Sequence, residues 1–193
     1  AAASPTPILT TVDKLICIAE HNKIEPVIVI TKCELDPEYA DELAEIYEKS
    51  GFTVFKLSAL EDIGVEPIDL FIKQNLTDGK TAAFAGASGI GKSTLLNRLF
   101  PALELSTSEI SRKIERGKHT TRHVELFPIF GGYVADTPGF SLLDFLHFDF
   151  FDLSDLFDGF REFAPHLAGC RYADCTHTRE SECGITLAVN EGK

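Results

Sequence analysis

Apolar and polar positions alternate along this chain with two different periods, and the switches between them mark out the elements. Val12, Leu15, Ile16 and Ala19 recur at helical spacing through His21, so a helix is expected over 12–21. The β-branched run Val27-Ile28-Val29-Ile30 follows and predicts a strand over 26–31. Pro37–Ser50 has an amphipathic pattern stopped by Gly51, and a second strand runs from there through Leu57. Val65–Asn75 is expected to be helical, and the apolar stretch 81–85 to be a strand. His123–Phe130 and Tyr133–Asp136 flank Gly131-Gly132, a hairpin signal that puts an antiparallel strand at one edge. Strands alternating with helices predict an α/β fold, a mostly parallel sheet with helices on both faces.

The strongest chemical signal lies where the 81–85 strand ends. Gly86-Ala87-Ser88-Gly89-Ile90-Gly91-Lys92-Ser93 matches the full G-x-x-x-x-G-K-[ST] phosphate loop, and Thr94-Leu95-Leu96-Asn97-Arg98-Leu99 continues as a helix. Small residues there let backbone N–H groups converge on phosphate at a helix N-terminus. Lys92 is expected to reach the outer phosphates, and Ser93 to coordinate Mg²⁺. About fifty residues later, Asp136 ends an apolar strand in Asp136-Thr137-Pro138-Gly139, where a carboxylate can hold Mg²⁺ through water and Gly139 can offer its N–H to the terminal phosphate. Between them, Arg116-Gly117-Lys118-His119-Thr120-Thr121-Arg122-His123 carries two threonines, either of which could be the Mg²⁺ ligand of a nucleotide-sensing switch.

A base-reading segment precedes the phosphate loop. Thr31-Lys32-Cys33-Glu34 is similar to N-K-x-D, with a hydroxyl for the amide and Glu for Asp. A carboxylate at the last position accepts from guanine N1 and N2, whereas adenine shows an unprotonated N1 there. Lys32 is expected to lay its alkyl stem along the base. Ser58-Ala59, at the end of the second strand, can supply a backbone N–H to guanine O6. Guanine is favoured, with an ATP-using protein left as an alternative by the two departures. Ordinary small GTPases run from phosphate loop to base reader. The reversed order here points to a circularly permuted GTPase.

Cys170, Cys175, His177 and Cys183 form a compact Cys₃His set suited to one closed, tetrahedral, structural Zn²⁺ site, with redox pairing of two thiols as the alternative. The chain has five cysteines in all, so they cannot all pair. Cys17 is expected in the core, and Cys33 fills the variable slot of the base motif.

On Thr31–Glu34, Ser58-Ala59, Gly86–Ser93, Gly117–His123, Asp136–Gly139 and the cysteine cluster, the chain resembles the ribosome-small-subunit-dependent GTPase family (RsgA/YjeQ type). The resemblance implies GTP hydrolysis in small-subunit assembly, GTP/GDP and Mg²⁺ as ligands, the small ribosomal subunit and its rRNA as partners, and a cytoplasmic setting. It also implies an RNA-binding OB-fold ahead of the GTPase. Residues 1–13 are too short for one and are expected to be a flexible lead-in to a longer protein's GTPase domain (14–145). An aromatic-rich connector and zinc-binding subdomain (146–193) follows, expected to be truncated. A nucleotide-gated binding module with incidental hydrolysis is the other reading.

Net charge is −12, the wrong sign for a free-standing RNA binder. The exception is local: Arg112, Lys113, Arg116, Lys118 and Arg122 stand against Glu115 alone, either as a solvated loop or as a switch that meets rRNA. Phe140, Phe145, Phe148, Phe150, Phe151, Phe157, Phe160 and Phe163 are expected to form a seam that packs the appendage onto the GTPase, a partner surface being the alternative. No apolar run approaches bilayer length and no signal-peptide pattern opens the chain, so no membrane partner is expected.

Where familiar GTPases carry a water-orienting Gln after D-x-x-G, this chain has Phe140. The resemblance offers His119 instead, whose imidazole can position water near neutral pH or contact RNA phosphate. His119→Ala is expected to lower turnover about 100-fold with little change in nucleotide affinity. Normal turnover of that variant, assayed with small ribosomal subunits present, would remove the catalytic role.

Overall fold

The computed structural model describes residues 6–87, 89–101, 125–136 and 157–192, excepting the side chains of 125, 136 and 158. Within these, five helices and five strands alternate: α1 Leu9–His21, β1 Val27–Thr31, α2 Pro37–Lys49, β2 Thr53–Leu57, α3 Val65–Asn75, β3 Thr81–Ala83, α4 Lys92–Leu99, β4 Glu125–Ile129, β5 Gly132–Asp136 and α5 Gly184–Asn190. Short 3₁₀ turns at Phe157–Gly159, Arg161–Phe163 and Leu167–Gly169 lead into α5.

Strands β1 and β2 pair in parallel, with Thr31 opposite Leu57, so both chain ends that follow them leave the sheet side by side. Strand β3 pairs in parallel with β5, Ala83 opposite Ala135, and β4 joins β5 antiparallel. Among the described residues these are two sheets, ordered β1-β2 and β3-β5-β4. Alternation along the strands sets the layers. Ile28 and Ile30 pack with Ile16 of α1 and Leu43, Ala44 and Tyr47 of α2. Val29, Phe55 and Leu57 pack instead with Ile68 and Ile72 of α3 and with Leu95, Leu96 and Leu99 of α4. Successive strand residues point to opposite faces, so the helices lie on both sides of the strands.

Helix α2 shows why its sequence starts and stops where it does. The Asp36 carboxylate accepts the Tyr39 N–H at 3.1 Å, Pro37 takes the first helical position, and Gly51 follows the end with φ +87°. Helix α1 begins at Leu9, inside the stretch expected to be a flexible lead-in. No side chain caps it and Thr10-Thr11 disguise its start, but Leu9 packs against the same core as α2.

The hairpin turns one residue earlier than Gly131-Gly132 suggested. Ile129 pairs with Gly132, and the two turn residues are Phe130 (φ +53°) and Gly131 (φ +89°), the doubly positive pattern of a type I′ turn. Gly132 is already in the ladder, pressed so close to β3 that a Cβ would lie 2.5 Å from the Lys80 carbonyl oxygen. Pro128 is tolerated because β4 is an edge strand of its sheet. Strand β3 ends at Ala83 rather than 85, and Phe84 instead packs edge-on to Phe100.

The segment that leads to the cysteine cluster is clasped to α1. Arg161 pairs with Glu20 at 2.6 Å and Glu25 at 2.8 Å, and its guanidinium lies 4.8 Å over the Phe52 ring. Gly159 seats directly on Cys17, and Phe160 lines a cavity of about 180 Å³ with Leu9, Ile16 and Phe52. Of the expected aromatic seam, Phe157, Phe160 and Phe163 are seen packed in this region, and the remaining phenylalanines lie outside the described residues. No helix among the described residues is long and apolar enough to cross a membrane.

Candidate functional site

Three loops leave the C-terminal ends of β1, β2 and β3 and meet, the position where α/β sheets bind ligands. Parallel pairing brings the first two together, and the Cys33 N–H donates to the Leu57 carbonyl at 3.3 Å. The third is tied in by side chains. Thr31 Oγ1 donates to the Ile90 carbonyl at 2.5 Å, and Lys32 Nζ donates to the Gly89 carbonyl at 2.8 Å. Thr31 is buried, so its hydroxyl works where it is least screened. Its donor is directed at the phosphate loop rather than outward, a bond that the missing amide of the motif gave no reason to expect.

Glu34 follows on the turn after β1. Its Oε2 is buried and has no hydrogen-bond partner among the described residues. An unpaired carboxylate oxygen is costly, so a donor pair supplied by a ligand would suit it. On the β2 side, the Ser58 N–H donates to Ile63 at 2.9 Å and Ser58 Oγ accepts the Glu61 N–H at 3.1 Å. That leaves the Ala59 N–H as the donor of the pair without a partner among the described residues.

In the phosphate loop, Lys92 Nζ donates to the carbonyls of Gly86 at 2.7 Å and Ala87 at 2.9 Å, drawing the loop around its own ammonium group. Gly91 is the N-cap of α4, and Ser93 and Thr94 occupy its first turn. Asp136 ends β5, next to β3 and hence to the strand that feeds the phosphate loop. The structure thus brings together Thr31, Lys32, Glu34, Ser58, Ala59, Gly86, Ala87, Gly89, Ile90, Gly91, Lys92, Ser93 and Thr94. Ser88, His119, Thr120, Thr121 and Gly139 lie outside the described residues.

The second cluster is Cys170, Cys175, His177 and Cys183, whose ligand atoms all lie within 4.8 Å of one another. His177 Nδ1 is 3.6 Å from Cys170 Sγ and 3.4 Å from Cys183 Sγ, and the two sulfurs are 4.0 Å apart. Zinc bonds of about 2.3 Å to sulfur and 2.0–2.1 Å to nitrogen imply ligand separations of roughly 3.5–3.8 Å in a tetrahedron, so the set fits one zinc ion. Burial pushes the Cys175 thiol up to about 11. Burial acts on Cys183 too, but hydrogen bonds from Thr186, His177 and Cys175 outweigh it and bring that thiol down to about 6, toward the metal-binding thiolate. Phe157 and Phe163 stand edge-on to the His177 ring at 4.7 and 5.7 Å and fix its plane.

Sequence reasoning passed over Glu180, which shapes the loop between the ligands. Its carboxylate accepts from Thr176 Oγ1 at 2.7 Å and from the N–H groups of Thr176 at 2.8 Å, Thr178 at 3.1 Å and Arg179 at 3.1 Å. The available signal was Thr176-x-Thr178-x-Glu180, an acid placed to cap its own turn. The Thr176 hydroxyl and the N–H groups of Thr176 and Arg179 hold the carboxyl down at about 2. Its contribution to the folded loop is therefore complete above the unfolded-chain value near 4.3 and is lost as pH falls toward about 2. Glu180→Gln is expected to weaken zinc binding about tenfold, read by competition with a chromophoric chelator at neutral pH. Unchanged zinc affinity would show that the cap does not support the ligands.

Comparisons with known proteins agree with this geometry. The sequence model of the family described as RsgA GTPase matches residues 1–146. The chain is 44% identical to the small ribosomal subunit biogenesis GTPase RsgA of Alkaliphilus metalliredigens, over 98% of this chain and 63% of that protein. It is 41% identical to the protein of the same name from Halalkalibacterium halodurans, over all of this chain and 64% of that one. It thus spans a little under two thirds of these relatives. Among solved structures, YjeQ from Thermotoga maritima matches all of this chain and 63% of its own, with a TM-score of 0.74 at 35% identity. YloQ, described as a circularly permuted GTPase, matches all of this chain and 60% of its own, with a TM-score of 0.72 at 33% identity. From the order of its loops to the extent of these matches, this chain belongs to the RsgA GTPase family.

Proposed function

We propose that this chain binds GTP with Mg²⁺ and hydrolyses it in the service of small ribosomal subunit biogenesis. The observation that carries the reading is the buried Glu34 carboxylate oxygen, without a partner among the described residues, on a turn that Thr31 and Lys32 tie to the phosphate loop. Guanine presents adjacent N1 and N2 donors that satisfy a carboxylate, and adenine does not. The Ala59 N–H is assigned to guanine O6, and the Lys32 stem to the base face.

Lys92 would exchange its carbonyl partners Gly86 and Ala87 for the outer phosphates, with the backbone N–H groups of 86–92 around them. Ser93 and Asp136, with Thr120 or Thr121, would hold Mg²⁺, which neutralises charge developing on the phosphates. His119 is assigned to orienting the attacking water. Cys170, Cys175, His177 and Cys183 would fill all four zinc positions, giving the metal a structural task. The ribosomal partner is supported by the names of the relatives, and a soluble cytoplasmic setting agrees with it.

Base reading by Glu34 makes a sharp prediction. Glu34→Gln replaces two acceptors with one acceptor and one donor, which matches the N1–H and C2 carbonyl of xanthine. GDP affinity should fall about 100-fold, and xanthosine diphosphate should become the tighter ligand, as read by competition against a fluorescent nucleotide. A variant that keeps its preference for GDP would overturn the assignment.

A further inference from the structure

The loop over 58–64 carries the N–H assigned to guanine O6, and its fold explains how that group is held. At its base, Ser58 and Ile63 exchange hydrogen bonds at 2.9 and 3.1 Å. Gly64 (φ +67°) closes it against β2 so tightly that a Cβ would fall 2.1 Å from the Lys56 carbonyl oxygen, which only glycine permits. The tip is outside these restraints: Leu60 is 81% exposed. Among the described residues, the one polar contact from the tip to another element is made by Asp62. Its Oδ1 accepts from Arg98 Nε at 3.0 Å and pairs with Arg98 Nη2 at 2.5 Å. Asp62 itself sits at φ +60°, a conformation that Asp tolerates better than most residues.

Arg98 lies in the last turn of α4, the helix whose first turn holds Lys92 and Ser93. One ion pair therefore joins the loop that meets the base to the rigid element that meets the phosphates. We propose that Arg98, acting through Asp62, is a positioning residue for guanine recognition: it sets the Ala59 N–H at a fixed place relative to the phosphate loop. This rests on the guanine reading given above. Both partners are about half exposed, and such a pair contributes little to global stability. Its effect should therefore fall on loop placement and base selectivity rather than on folding.

The test compares GDP, ADP and inorganic pyrophosphate as ligands of the unaltered chain, of Arg98→Glu and of the reciprocal pair Arg98→Glu with Asp62→Arg. Facing Asp62 with a like charge should raise the Kd for GDP about tenfold while leaving pyrophosphate affinity and melting temperature unchanged. The reciprocal pair should restore GDP binding to within about twofold. An Arg98→Glu variant with unaltered GDP affinity overturns the inference. So does an equal loss for GDP and pyrophosphate, which would mean that α4 itself had been disturbed. If the unaltered chain does not distinguish GDP from ADP, the guanine reading fails first, a result separable from either of these.

Discussion

The hydrogen bond from Thr31 Oγ1 to the Ile90 carbonyl joins loops 59 residues apart in sequence and holds the base-reading turn against the phosphate loop. It forms where parallel pairing of β1 with β2 has already brought Thr31 level with Leu57, and where burial of Thr31 limits competition from water. Lys32 adds a second tie to Gly89. A hydroxyl is shorter than the amide it replaces, yet it reaches the Ile90 carbonyl, and the chain then turns into α4 through Gly91 at φ +94°, a conformation that favours glycine. Among the described residues the arrangement leaves one Glu34 oxygen without a partner, an acceptor of the kind that folded proteins keep mainly where a ligand completes it.

The cysteine cluster solves a different problem. Among the described residues the core around it holds only Cys175, Cys183 and Ile185, with Phe163 and Cys170 packed alongside, too little apolar surface to order such a segment by itself. Four ligand atoms within 4.8 Å of one another would supply the missing cross-links on binding zinc. The ordered segment then reaches back to α1 through Arg161, Gly159 and Phe160, while His177 is wedged by Phe157 and Phe163. Metal ligation and attachment to the α/β core thus share one short stretch of chain.

Much of this was legible in the residues. The phosphate loop, the strand–helix alternation and the Cys₃His set are carried by local chemistry and period, which survive without tertiary information. What escaped depended on distant partners. Helix α1 starts at Leu9 because the core rewards it, while its own first residues give no cap. The hairpin turns at Phe130-Gly131 because Gly132 is needed for its closeness to β3, which two adjacent glycines could not reveal. The bond from Thr31 to Ile90 and the pairing of Asp62 with Arg98 join segments that only the fold makes neighbours.

In the proposed function these converging loops make a guanine-nucleotide hydrolase whose partner is the small ribosomal subunit. The most direct test is the rate of phosphate release from GTP, with ATP as the control, measured with and without purified small ribosomal subunits. GTP should be turned over by the chain alone, and faster with the subunits present. Equal or faster hydrolysis of ATP would contradict the assignment of Glu34, and GTP turnover indifferent to the subunits would contradict the partner.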